Sequence, residues 1–187
     1  MKTIILALCL LLPLVSFAKE DGKVYNISIV GELSQKHVFE VEKAVKEAKK
    51  GDAIHLFIHS GGGDVFYLDK ILKAMVVSKA VNITTVPVSA SSAAAIIFCH
   101  GDIRNINHKA NIMFHVFREH SYIPFRKPYL IKKGNWLNER QTEALRMFRA
   151  MMKRCNTMLS VNELQRVEEG EDVVIKGSTV NRRLSNG

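Results

Sequence analysis

The sequence predicts an α/β domain built around a mostly parallel β-sheet, and three observations favour this class. Candidate strands alternate with amphipathic helices along the chain. The segment "AIHLFI" is apolar almost throughout, as expected for a strand covered on both faces of a sheet. Of the 187 residues, 47% are hydrophobic and 24% are charged, which supports one domain with a core and argues against a protein with several membrane spans.

The first half of the chain contains two strands, each followed by a helix. "VYNISIVG" (24–31) alternates and is rich in β-formers, and "SQKHVFEVEKAVKEAKKG" (34–51) carries one apolar stripe and ends in a glycine. The buried strand "AIHLFI" (53–58) leads into three consecutive glycines (61–63). A glycine run predicts a turn with unusual backbone angles or a close approach by another group. "VFYLDKILKAMVVS" (65–78) is predicted as the next helix.

The second half continues the alternation. "VNITTVPV" (81–88) reads as a strand, and "SASSAAAIIFCHG" (89–101) as a tight turn into a helix of small residues. "ANIMFHVF" (110–117) is a further strand, and "LNERQTEALRMFRAMMKRCNTML" (137–159) a long amphipathic helix. The tail (162–180) is predicted to hold a short helix, a turn and a β-rich piece.

The N-terminus has the three-part pattern of a secretory signal. A lysine at position 2 precedes the apolar run "TIILALCLLLPLV", and "SFA" follows with small residues at the cleavage positions. We therefore expect residues 1–18 to be removed after Ala18, leaving a single domain over residues 19–187 in a periplasmic or secreted protein. The alternative is an uncleaved N-terminal anchor. In an oxidising compartment Cys99 and Cys155 could pair or remain separate thiols, and the sequence leaves both open.

Charge and motif spacing argue against several other classes. The formal net charge is +9, but the basic residues are spread over segments that also carry carboxylates, which is typical of solvated helix faces. No aromatic-interleaved RNA motif or zinc-finger spacing occurs. We expect no nucleic-acid partner, no metal and no cofactor.

Two strand-to-helix turns carry residues suited to acyl-transfer chemistry. One holds the three glycines, and the other holds Ser89, Ser91 and Ser92. Turns at the carboxyl ends of parallel strands gather at one sheet edge, where helix N-termini present free N–H groups to a developing oxyanion. His115 ends the strand "ANIMFH" and is the best-placed base, with Asp172 as a candidate to orient it. From these residues alone, such a pattern more often marks a close-packed helix start, a structural histidine and an ordinary turn aspartate.

Three motifs together resemble the proteolytic subunit of the Clp peptidase (ClpP). "FIHSGGGDV", "PVSASSAAAIIFCHGD" and "ANIMFH" occur in the order and approximate spacing of that family, and the similarity extends from about residue 24 to 180. The resemblance implies a ClpP/crotonase-like spiral of β-β-α units with a mostly parallel sheet and a protruding long helix, the handle. It also implies Ser92 as nucleophile, His115 as base and Asp172 as third triad member.

The same resemblance assigns the oxyanion hole and the substrate-binding strand. Gly62 and Ala93 match the two backbone N–H donors of the hole, and Gly61 and Gly63 flank them as substrate-binding positions. Two departures stand out: Gly61 replaces the proline of the family, and Ala93-Ala94 replaces Met-Gly. The signal peptide stands where ClpP carries the axial loop that faces its unfoldase, so we expect peptidase chemistry without an ATP-driven partner.

The expected function is therefore an exported ClpP-like serine endopeptidase that hydrolyses peptides or unfolded proteins. One alternative is a membrane-associated Ser-Lys protease of the signal-peptide-peptidase or NfeD type, with Lys109, Lys132 or Lys133 as base. Crotonase-like acyl-CoA chemistry and a non-catalytic assembly protein with the same fold are the others. The helix at 137–159 shows apolar residues on more than one face, which together with the ClpP handle implies a homo-oligomeric ring; a monomer with that helix buried is the alternative.

Overall fold

A computed structural model describes residues 22–117 and 139–186 of the chain. The strands are β1 (Val24–Leu33), β2 (Ala53–Gly63), β3 (Val81–Val86), β4 (Ser89–Ser91), β5 (Ile103–Ile106), β6 (Asn111–Phe114) and β7 (Val173–Lys176). The helices are α1 (Gln35–Glu47), α2 (Val65–Val77), α3 (Ala93–Cys99), α4 (Glu139–Met152), α5 (Val161–Glu168) and α6 (Gly177–Ser185), with a single 3-10 turn at Lys153–Cys155.

The seven strands form one curled sheet in which β2 is the branch point. The order is β5-β3-β2-β4-β6-β7, and β1 pairs with β2 off this path. All pairs are parallel except β6 with β7, which are antiparallel. β3 pairs with the first half of β2 through residue Phe57, and β4 then pairs at Ser60. The predicted α/β class with a mostly parallel, curled sheet is thus confirmed.

The core lies where helices α1, α2 and α3 cover the sheet. α2 begins at the N-cap Asp64, whose side chain accepts a hydrogen bond from the Phe66 N–H at 2.8 Å, and Leu68, Ile71 and Leu72 face inward. Every residue of α3 is buried. Its first three positions are alanines, and small side chains let this helix lie close against the strands around it.

Several element boundaries differ from the sequence-based prediction. β2 does not stop before the glycines: residues 61–63 continue the strand, because β1 extends to Leu33 and pairs with Gly62 and Gly63 after a register shift. The predicted strand 81–88 is shorter than expected, because β3 ends at Val86, and the separate strand β4 lies in the segment predicted as a tight turn, where the sheet partners change. β5 and α6 were not predicted. The prediction that the long helix reaches residue 159 is wrong, since α4 ends at Met152.

The described part of α4 packs mainly through one face. Phe148, Met151 and Met152 are buried, whereas Met147 is 38% exposed. The Phe148 ring meets Phe117, beyond β6, edge to face at 5.2 Å between centroids. Met147 is thus the exposed large apolar side chain in the described part of this helix, where the sequence predicted a second apolar face. Among the residues that the structure describes, no helix is long and apolar enough to cross a membrane.

A disulfide joins the end of α3 to the turn after α4. Cys99 and Cys155 are bonded with a Cα–Cα distance of 5.0 Å, and both side chains are buried. The bridge closes a loop with a sequence separation of 56 residues. It therefore fixes the C-terminal end of α4 to the helix that follows the serine turn, and it resolves the pairing that the sequence left open.

We expect the double variant Cys99→Ala/Cys155→Ala to be less stable than the natural chain by about 4 kcal/mol. Removing a disulfide that closes a loop of this length raises the conformational entropy of the unfolded state. Urea unfolding of both proteins without reductant measures the difference. Equal stability of the two proteins would mean that the cysteines are not bonded in solution.

Candidate active site

The turn between β4 and α3 holds Ser92 in a strained backbone conformation. Its φ of 57° and ψ of −127° make it the only non-glycine residue with positive φ in the described part of the chain. The Ser92 N–H donates to the Met113 carbonyl of β6 at 2.8 Å, and the Ser92 carbonyl accepts from the Ala95 N–H at 3.0 Å. Such a conformation costs about 1–3 kcal/mol and persists where the surroundings enforce it, often at an active site.

Gly62 lies against this turn at a distance that leaves no room for a side chain. With φ of 101°, it would place a Cβ atom 2.8 Å from the Ser91 carbonyl oxygen, 2.8 Å from Ser92 Cβ and 3.0 Å from the Ala93 nitrogen. Close approach by the backbone is thus the reason for glycine here, as the sequence predicted. The arrangement brings the main chain of Gly62 beside that of Ala93, the two predicted oxyanion-hole positions.

The other two glycines have different surroundings. Gly61 is exposed, and a Cβ atom there would meet nothing within 4 Å. Gly63 has φ of 148°, and its Cβ position would lie 2.9 Å from the Leu33 nitrogen and 3.1 Å from Glu32 Cγ. Gly63 therefore permits β1 to pack alongside, whereas Gly61 has open space around it. This difference explains why the position of Gly61 can accept a larger residue such as the proline found in ClpP.

His115 follows β6 at the edge where the serine turn lies. Its side chain is half-buried, and Nδ1 is 2.5 Å from the Val116 carbonyl oxygen. Because a carbonyl oxygen can only accept, Nδ1 must carry the proton of this hydrogen bond. In the neutral ring that leaves Nε2 without a proton and able to accept one. The ring is therefore in the tautomer that a general base for a serine hydroxyl requires.

Most of the predicted site residues line one cavity of about 780 Å³. Its lining comprises Gly31, Glu32, Gly61, Gly62, Gly63, Asp64, Val65, Ser92, His115 and Phe117. Ser92 and His115 thus line the same cavity, beside the end of β2 that carries Gly61, Gly62 and Gly63 (the glycine strand). Among the residues described here, no hydrogen bond joins the Ser92 hydroxyl to His115, and catalytic hydrogen bonds are often long before substrate binds.

Asp172 does not line this cavity. It is exposed and directly precedes β7. β7 runs antiparallel to β6, and the last pair of this ladder joins Phe114 to Val173. His115 and Asp172 are therefore the chain positions that adjoin this pair, at the same end of the two strands.

The remaining candidate bases lie elsewhere. Lys109 precedes β6, at the opposite end of that strand from His115, and it is exposed. Lys132 and Lys133 lie outside the described residues, as does the predicted signal peptide. His59 contacts Ser89 at 3.3 Å on an exposed part of the sheet. His55 and His100 are at least partly buried, and burial lowers the pKa of both imidazoles.

Further residues around the site were not predicted. Gly31, Glu32, Asp64, Val65 and Phe117 line the cavity, and the buried Ser60 hydroxyl accepts a hydrogen bond from the Gly62 N–H. The position of Ser60 directly before the glycines was a usable signal, because a small polar residue in a buried strand needs hydrogen-bond partners. Glu32 and Phe117 come from separate strand ends, and nothing in their local sequence indicates the cavity.

The curled parallel sheet, with a glycine strand packed on a serine turn, defines the class of ClpP-like α/β proteins. A family model described as Clp protease matches residues 19–121. Since this range exceeds half of the chain, the protein belongs to the Clp protease family and is a ClpP-like peptidase. A search of curated proteins gives no match.

The contrast between two neighbouring glycines gives a direct test of the site. Gly62→Ala should lower the rate of peptide hydrolysis about 10²- to 10³-fold, because it displaces an oxyanion donor and the serine turn, and should also destabilise the fold by about 1–3 kcal/mol. Gly61→Ala should change stability by less than about 0.5 kcal/mol, since its Cβ meets nothing. Hydrolysis of a quenched fluorescent peptide and urea unfolding measure both. Equal effects of the two variants would contradict this packing.

Proposed function

We propose that the protein is an exported serine endopeptidase in which Ser92 attacks the peptide carbonyl. The observation that carries the proposal is the strained Ser92 turn packed against Gly62, because this packing brings the serine next to the main chain of Gly62 and Ala93. Attack on a carbonyl carbon moves negative charge onto its oxygen, and N–H groups fixed around that position stabilise the transition state. Gly62 and Ala93 are the donors in this proposal.

His115 takes the proton from Ser92 and later gives it to the leaving amine. Its support is its place in the cavity and the Nδ1 hydrogen bond to the Val116 carbonyl, which leaves Nε2 free to accept. In this proposal Asp172 stabilises the imidazolium that forms, in keeping with its position across the β6–β7 pair. Gly61 and Gly63 would hold an extended substrate segment by main-chain hydrogen bonds.

A Ser-Lys mechanism has less support. Lys109 is separated from the cavity by the length of β6, and no lysine or arginine lines the described part of the cavity. A histidine in the same cavity as the serine favours the Ser-His arrangement instead. The substrates of the proposed enzyme are peptides or unfolded proteins, since an extended chain fits a strand-binding site.

Export of the protein is supported by two features. The first is the signal-like pattern in residues 1–18. The second is the disulfide between Cys99 and Cys155, because disulfides persist mainly in oxidising compartments. An exported enzyme has no ATP-driven unfoldase at hand, so we propose that it hydrolyses its substrates without one.

Replacing the serine separates the proposed mechanism from a non-catalytic role. Ser92→Ala should lower kcat for a quenched fluorescent peptide by several orders of magnitude and leave the far-ultraviolet circular dichroism unchanged. Ser89→Ala is the matched control, because Ser89 is a turn serine of the same strand that contacts His59 and does not line the cavity. Equal rates for Ser92→Ala and the natural protein would exclude Ser92 as nucleophile.

The same assay applies to Asp172. Asp172→Asn should lower kcat by up to about 10⁴-fold, since an amide cannot stabilise the imidazolium and favours the wrong histidine tautomer. A change of less than about tenfold would show that the Val116 carbonyl alone orients the ring, and would remove Asp172 from the triad.

Family membership supports assembly into a ring, which we propose for the mature protein. The mass of the single chain and the mass of the particle in solution, measured on the purified exported protein, test processing and assembly. Intact-mass spectrometry should give a chain that begins at Lys19, and light scattering at micromolar concentration should give several times that mass. A single-chain particle with full peptidase activity would contradict the ring, and a chain that retains residue 1 would contradict cleavage.

A further inference from the structure

Ser60 is a buried polar residue that contacts two segments of the candidate site. Its side chain is only 3% exposed, and its main chain pairs with Ala90 of β4. The Ser60 hydroxyl donates to the Gly31 carbonyl of β1 at 2.5 Å and accepts from the Gly62 N–H at 3.0 Å. Because its single proton is used on Gly31, the lone pairs of Oγ are left to face Gly62. The hydroxyl therefore acts as a donor toward Gly31 and as an acceptor toward Gly62.

The Gly62 N–H is the donor that the proposed function assigns to the oxyanion. In this structure that N–H is engaged by Ser60 instead. A donor already bonded to a neutral hydroxyl must give up or share that bond before it can stabilise the oxygen of a substrate. Without substrate, one of the two proposed oxyanion donors is therefore already hydrogen-bonded to a side chain of the protein.

The glycine strand has the conformational freedom to release this donor. Gly62 has φ of 101°, in a region where glycine moves without the penalty of a Cβ atom. On its N-terminal side, Gly61 is exposed and has open space around its Cβ position. The peptide between these two glycines can therefore turn its N–H from the buried hydroxyl toward the cavity without displacing a side chain.

We propose that Ser60 is a positioning residue that holds the Gly62 N–H away from the cavity until a substrate carbonyl competes for it. This inference rests on the proposed function, because it assigns a role to Gly62 in the transition state. Negative charge develops on the substrate oxygen during attack, and a charged acceptor makes a stronger hydrogen bond than the neutral serine hydroxyl. The exchange of partners is therefore favourable mainly in the transition state, so Ser60 acts on kcat more than on KM.

Removing the hydroxyl separates this role from a structural one. Ser60→Ala leaves the Gly62 N–H without its internal acceptor, so we expect kcat to rise about two- to tenfold, the value of one net hydrogen bond, with KM changed less than twofold. Thr84→Val is the matched control. Thr84 also carries a buried hydroxyl that donates to a main-chain carbonyl, that of Phe98 at 2.9 Å, but this hydroxyl makes no hydrogen bond to Gly62. The kcat of Thr84→Val should not rise.

Hydrogen–deuterium exchange gives a readout that needs no catalysis. In Ser60→Ala, amides of the peptide covering residues 58–64 should exchange about two- to tenfold faster than in the natural protein, and in Thr84→Val they should not. In Ser60→Cys, whose thiol is a weak acceptor, the exchange rate should lie between those of Ser60→Ala and the natural protein. This variant replaces Ser60→Ala in the test if Ser60→Ala does not fold. Unchanged exchange in this peptide, or a kcat that is unchanged or lower in Ser60→Ala, overturns the proposal. Absence of Ser92-dependent hydrolysis in the natural protein would instead remove the proposed function, and the exchange measurement would still decide whether Ser60 holds the Gly62 amide.

Discussion

The contact between the main chain of Gly62 and the turn that carries Ser92 is the constraint on which the rest of the site depends. The two segments lie so close that a single methyl group at Gly62 would be 2.8 Å from two atoms of the turn. This packing requires β2 to continue through the glycines between β1 and β4, and it places the serine at the edge of the sheet. The Ser92 N–H is fixed in turn by the Met113 carbonyl of β6. The strained backbone of Ser92 is thus maintained by contacts with neighbouring strands, so the geometry of this turn depends on the sheet around it.

The histidine side of the site depends on more distant parts of the chain. His115 follows β6, whose other neighbour β7 comes from the C-terminal region and brings Asp172 near the ring. Phe117, two residues further on, packs against Phe148 of α4, and the disulfide ties the end of α4 to α3. The serine and glycine side is therefore built from neighbouring β-α units, whereas the surroundings of His115 depend on contacts with segments late in the chain. Phe117 and Cys155 therefore connect α4 to both sides of the site.

The sequence was sufficient to predict the features that have a local signature. Periodicity and composition predicted the strands and helices of the first half. The glycine run and the serine turn indicated the two segments of the site, and the resemblance to ClpP then selected Gly62 and Ser92 within them. β5, "IRNI", was missed because four residues with two polar side chains carry too little periodicity, and α6 because its first residues favour β-structure or turns. The Ser60–Gly31 contact joins residues 29 apart and depends on the register of β1 against β2. The same applies to Asp172, whose distance from His115 follows from antiparallel pairing rather than from any spacing in the sequence.

The identity of the nucleophile is the central claim, and covalent labelling tests it most directly. A fluorophosphonate reacts with a serine only where a base and an oxyanion site activate it. The natural protein should be treated with the probe, digested and mapped by tandem mass spectrometry. The account predicts one phosphonylated residue, Ser92, and no labelling of protein unfolded in urea before treatment. Adduct formation on Ser89 or Ser91, or no adduct on the folded protein, would contradict it.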